Sequence, residues 1–187
     1  MKNLKKEKGA VLFSAHIGNF EWAGCRIAVE GFKVTGVGLE RPCKKTNLFF
    51  ENRRRSKGMG TLYANKRELN IFRILKSNET LAMPTEFDPL KTAKEYEFFS
   101  KKAFIPSGPV ELALKTGAAL LPCFIWRKDK YNHYEIIGEP LKLERDETRF
   151  AGRKEFLDHN MNKMTEVLEK YIIEHTEEWE MFHDIWA

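Results

Sequence analysis

The stretch "VLFSAHIGNFEWAG", Val11 to Gly24, runs from an apolar segment through a histidine into a segment with helical spacing. The run "AVLFSA" (10–15) predicts a short strand buried on both faces. Gly18 permits a sharp turn, Asn19 is a natural helix cap, and "FEWAGCRIAVEG" (20–31) reads as a helix stopping at Gly31. A buried strand feeding directly into a helix is the repeating unit of an α/β fold, so the next question is whether the unit recurs.

It does. "KVTGVG" (33–38) predicts a second strand, and "TNLFFENRRRSKG" (46–58) a helix with Phe49 and Phe50 on its buried side. A short "TLY" strand follows, then a helix over 66–78 with Leu69, Phe72 and Leu75 along one face. "ETLAMP" (79–84) is another apolar strand, and "SGPVELALKTGA" (107–118) a helix between a serine cap and Gly117. "ALLPCFIW" and "YNHYEIIG" read as adjacent strands, and residues 149–175 as a long amphipathic helix. The expectation is one α/β domain over 1–187, with a largely parallel central sheet flanked by helices and Trp22 packed in its core.

Composition narrows the class. With 42% hydrophobic and 32% charged residues, the chain of 187 is a folded domain, not a disordered or fibrous one. A net charge of +5 suits an anionic partner: nucleic acid, a membrane surface or an acidic protein. Three cysteines without CxxC spacing predict reduced thiols and no structural metal site. No run approaches the roughly 20 apolar residues of a membrane span, so the chain reads as soluble or peripheral.

In open α/β sheets, functional groups collect where strands end and helices begin. His16 stands there, with Glu21 in the first turn of the following helix. A carboxylate so placed can reach back, fix the imidazole tautomer and stabilise the imidazolium, the layout of a general base. Structural alternatives exist for both: a hydrogen-bonded strand-end histidine, and an acid offsetting the helix dipole. Glu86 follows the strand "TLAMP" and stands near His16 if those two strands are neighbours, with a solvent-facing loop acid as its alternative.

"HIGNFE" resembles the H-x4-D/E motif of the lysophospholipid acyltransferase superfamily, in the form found in the lipid A biosynthesis (lauroyl/myristoyl) acyltransferases. "ERPCKKTN", through Arg41 and Pro42, is similar to that family's Tyr-Arg-Pro segment, and "RRSKG", through Arg54 and Gly58, to its Arg-x3-Gly. "EFFSKKAFIPSGPVELALKTGAALLP" is similar to its Phe-Phe-Gly stretch and the helix and strand after it. "HTEEWEMFHDIW" resembles its tryptophan-rich tail through Trp179, His183 and Trp186. Departures are Glu86-Phe87 for the usual Asp-Gln, Ser100 for a glycine and Asp184 for an arginine. The family's membrane-anchoring front segment has no counterpart here, which predicts an anchorless variant or a fragment of a longer product.

The resemblance implies a glycerolipid-acyltransferase-like fold and transfer of an acyl chain from a thioester to a glycolipid hydroxyl. The donor would be acyl-carrier protein or acyl-CoA as co-substrate, without a further cofactor or metal. His16 would be the base, supported by Glu21 and Glu86. Asn19, Arg41, Arg54 and Gly108 would hold substrate, Arg54 by gripping an acceptor phosphate and the backbone near Gly108 by meeting the oxyanion. Arg127, Lys128 and Lys130 form a basic loop that reads first as a plain exposed turn, with contact to an acidic carrier protein as the alternative. The implied location is the cytoplasmic face of the inner membrane, in peripheral contact with its surface, without nucleic acid as partner. Two other readings stay open: a non-catalytic or truncated relative keeping the fold, and a basic nucleic-acid-binding domain.

Overall fold

The computed structural model describes residues 8–65 and 71–187. Among the described residues, eight strands and five α-helices follow one another in chain order. The strands are β1 (Ala10–Ser14), β2 (Val34–Gly38), β3 (Gly60–Tyr63), β4 (Thr80–Pro84), β5 (Lys94–Phe98), β6 (Lys101–Ile105), β7 (Ala119–Arg127) and β8 (His133–Ile137). The helices are α1 (Phe20–Val29), α2 (Lys44–Ser56), α3 (Ile71–Lys76), α4 (Gly108–Thr116) and α5 (Arg153–Glu174).

Six strands form one sheet in the order β3-β2-β4-β1-β7-β8. Every pairing is parallel except that of β8, which lies antiparallel on β7. The expected α/β architecture with a largely parallel sheet is therefore the observed one. β1 lies between β4 and β7, and its residues divide between two cores. Val11 and Phe13 point to the side of α4 and α5, while Ala10 and Leu12 point to the side of α1. A strand covered on both faces needs the unbroken apolar run that the sequence supplies.

Two elements differ from the sequence expectation. β5 and β6 form an antiparallel hairpin that packs on α5 and was not expected. Its inward residues Tyr96, Phe98, Ala103 and Ile105 alternate with exposed charged or aromatic ones, a period-two pattern rather than an apolar run. The helix expected over 66–78 is described only as α3; Leu69 lies outside the described residues. Leu75 is buried, but Phe72 points outward. Among the described residues no helix is long and apolar enough to cross a membrane.

The final segment returns to the sheet. After α5, Trp179 bridges Ile17 in antiparallel fashion, and Trp186 bridges Ala103 on the hairpin. The tail thus straps the turn after β1 to the edge of β6.

Candidate active site

β1 and β4 are in parallel register, with Ala10 opposite Thr80 and Ser14 opposite Pro84. Beyond the strands the Thr85 N–H still donates to the Ser14 carbonyl at 2.9 Å. The same offset carries His16 opposite Glu86, 70 positions on. Registered residues of parallel strands face the same side, so the sheet itself aims the two side chains together.

The contact is close. His16 Nδ1 lies 2.8 Å from Glu86 Oε1, and the His16 backbone N–H donates to the same oxygen. Glu86 is fully buried, whereas the His16 side chain is 30% exposed. A carboxylate accepting from Nδ1–H leaves the lone pair on Nε2, the nitrogen needed to take a proton. Burial of the ring disfavours its charged form. The hydrogen bond and charge of Glu86 offset that, with Glu180 and Glu21 adding further negative charge, and His16 is held above the ordinary imidazole value. Phe20 packs edge-on against the ring at 4.9 Å. Glu86 Oε2 is buried without a hydrogen-bond partner within the chain.

Glu21 departs from expectation. Its two oxygens take the guanidinium fork of Arg54, Nε donating to Oε2 at 2.8 Å and Nη2 to Oε1. Arg41 approaches the same carboxylate at 4.0 Å while its guanidinium lies 3.8 Å over the Phe50 ring. Glu21 therefore reaches toward the histidine as charge, and its hydrogen bonds go to α2. The reason is directional: the first turn of α1 faces α2 across the carboxyl edge, whereas β4 delivers Glu86 in register. Arg54, expected to grip an acceptor phosphate, has its fork on Glu21 and its side chain only 14% exposed. Asn19 Oδ1 accepts from the Trp22 N–H at 3.1 Å and so caps α1, as its place before the helix predicts.

Gly108 opens α4, which runs toward the start of β7 and so begins at the carboxyl edge of the sheet. No atom stands within 4 Å of where a Cβ on Gly108 would be, leaving open space above it. The side chain of Ser107 serves the Glu111 carboxylate at 2.7 Å and makes no helix-capping bond. Arg127 ends β7, and its N–H donates to the Glu178 carboxylate at 2.8 Å, while Lys128 and Lys130 lie on the exposed β7–β8 turn that follows. Among the described residues no cluster of three metal-ligating side chains occurs.

The tail supplies what motif reading missed. The Glu180 N–H donates to the His16 carbonyl at 2.7 Å, and the Gly18 N–H to the Glu178 carbonyl at 3.0 Å. Gly18 has φ +53, and a Cβ there would meet the Ile125 carbonyl at 2.7 Å, so the turn admits only glycine without strain. The acids in "HTEEWE" were the available signal, but only the fold shows which strand end they meet. Trp179 also lines an apolar groove of about 320 Å³ with Phe99, Ile172 and Trp186, with Lys101 on its wall.

The arrangement is that of an α/β protein with a partly exposed strand-end histidine backed by a buried carboxylate. The chain belongs to the bacterial lipid A biosynthesis acyltransferase family, whose model matches residues 1–187. It is 32% identical over 122 residues to a phosphatidylinositol mannoside acyltransferase of Mycobacterium tuberculosis, covering 63% of this chain and 39% of that protein. The protein of the same name from Mycolicibacterium smegmatis is 29% identical over 123 residues, covering 64% and 40%. The matched stretch spans about two fifths of these relatives' length. A crystal structure of the 1-acyl-sn-glycerophosphate acyltransferase PlsC from Thermotoga maritima aligns over 96% of this chain and 71% of that one. Its TM-score is 0.45 and its identity 17%.

Proposed function

We propose that this chain carries the acyl-transfer centre of a glycolipid acyltransferase, moving a fatty acyl group from a thioester to a sugar hydroxyl. The observation that carries the reading is the His16–Glu86 pair: a buried carboxylate on Nδ1 and a partly exposed ring offering Nε2. Family membership supports acyl transfer, and the names of the mycobacterial relatives support a lipid-linked glycan as acceptor.

In this reading His16 Nε2 takes the proton of the acceptor hydroxyl as its oxygen attacks the thioester carbonyl. Backbone N–H groups at the start of α4, near Gly108, are aimed at the oxyanion that forms. Collapse breaks the C–S bond, and the imidazolium returns its proton to the departing thiolate. A thiolate leaves readily, so the transfer as proposed uses no metal and no covalent enzyme intermediate. Arg41, more exposed than Arg54, is the cation placed to meet an acceptor phosphate. The donor is acyl-carrier protein, with the basic β7–β8 turn as its docking point, or acyl-CoA. The acyl chain lies along the groove that shares Trp179 with the strap over His16. The acceptor is a lipid A precursor or a comparable glycolipid, met in peripheral contact with the cytoplasmic face of the inner membrane.

The test is His16→Ala, assayed as thiol release from an acyl thioester in the presence of a glycolipid acceptor. Loss of at least about 10²-fold in rate, with the variant still folded at the assay temperature, supports the base role. Near-normal turnover removes it.

A further inference from the structure

Helix α2 has no buried residue. Its inward side consists of Asn47, Phe50, Glu51 and Arg54, all half-buried. Its outward side sets Leu48 and Phe49, each 54% exposed, among Lys44, Lys45, Arg53 and Arg55, all exposed. Sequence reading placed Phe49 in the core, as any globular helix would place a large aromatic. Here only Phe50 turns inward, and Phe49 stands in water with the Arg53 guanidinium 5.3 Å over its ring.

We propose that the outer face of α2 docks on an anionic lipid bilayer. Leu48 and Phe49 enter the boundary between headgroups and acyl chains, and Lys44, Lys45, Arg53 and Arg55 meet lipid phosphates. Charge is the first argument. The helix carries five cations and one acid, and that acid, Glu51, is turned inward to accept from the Tyr63 hydroxyl at 2.8 Å. The mixture is the second. A nucleic-acid backbone would use the cations but has no use for Leu48 and Phe49 between them, whereas an interfacial helix needs both. Position is the third. α2 begins just beyond Gly38, at the carboxyl edge of β2, the edge that also carries His16. Its opposite side holds Glu21 through Arg54, so one helix meets the lipid surface outside and braces the site inside. The inference deepens the glycolipid reading and rests on it for its purpose, though not for its geometry.

The experiment is sedimentation of the chain with phosphatidylcholine vesicles, with and without phosphatidylglycerol. The expected result is binding that requires phosphatidylglycerol and falls as salt rises. The double variant Leu48→Ser/Phe49→Ser weakens it at least about tenfold. Phe182→Ser, an exposed aromatic on the tail, leaves it unchanged. Transfer to a detergent-dispersed glycolipid acceptor stays normal in the Leu48/Phe49 variant. Vesicle binding indifferent to Leu48 and Phe49 overturns the docking surface. So does duplex DNA binding with vesicles ignored, or a dimer in solution that the double variant abolishes. A chain that binds vesicles through these residues yet transfers no acyl group upholds the surface and sinks the acyl-transfer reading instead.

Discussion

Replacing Glu86 by glutamine keeps the volume of the side chain and removes its charge from beneath His16. In the wild-type protein one oxygen accepts from both the ring Nδ1 and the backbone N–H of His16. An amide oxygen can still accept both of these bonds, but neither then goes to a charged acceptor, and the NH2 brings two donors to a pocket built for an acceptor. A hydrogen bond to a charged group contributes about 1.5–3 kcal/mol. If that stabilisation is realised as the imidazolium forms, the rate falls about 10- to 150-fold at roughly 1.4 kcal/mol per decade. The acidic limb of the rate profile moves as well. His16 is raised mainly against its own burial by Glu86, so the variant titrates lower and its limb shifts toward acid. Stability has the matching sign. A histidine raised in the folded state contributes stability below its unfolded value near 6.5, and loses it as pH rises through the folded value. The wild-type advantage in melting temperature over Glu86→Gln should therefore contain a part present at acid pH and absent at alkaline pH. Thiol release against pH and thermal melts on both proteins measure this. An unchanged rate with an unmoved acidic limb refutes the orienting role of Glu86.

Breaking the forked pair with Glu21→Gln or Arg54→Ala should cost about 1–3 kcal/mol in denaturant melts, because each leaves a partly buried charge without its partner. Arg54→Lys should recover only part of that, since an ammonium cannot match both carboxylate oxygens. Gly18→Ala should destabilise by at least about 1–3 kcal/mol and reduce transfer, because the residue sits at φ +53 against the Ile125 carbonyl. A melt equal to wild type would show that the turn relaxes freely.

What the sequence disclosed, and what it hid, follows from the reach of each signal. The strand-turn-helix at Val11–Gly24 was legible because apolar run, glycine and cap are all local. The meeting of His16 with Glu86 was legible once β1 and β4 were taken as neighbours, since parallel register preserves the offset. The partner of Glu21 was not, because sequence spacing along α1 says nothing of which element faces its first turn. The β5–β6 hairpin escaped for a different reason: its strands "KEYEF" and "KKAFI" bury one side only, and the buried parallel strand was the wrong template for them. Phe49 and Trp22 were assigned to the core on hydrophobicity alone, and both stand exposed. The rule of large aromatics inside holds on average, and hydrophobicity alone does not say which individual ring is the exception.

The strap over the histidine has a consequence for how the protein comes to exist. The carbonyl of His16 and the N–H of Gly18 find their partners at Glu180 and Glu178, at the far end of the chain. A ribosome exposes the first strand and its histidine long before those partners are synthesised, so the turn waits unsatisfied while the rest of the sheet assembles. Contacts so distant in sequence close late and slowly. The turn that holds His16 is thus among the last features to form, and a nascent chain carries the histidine without the strap that fixes its backbone.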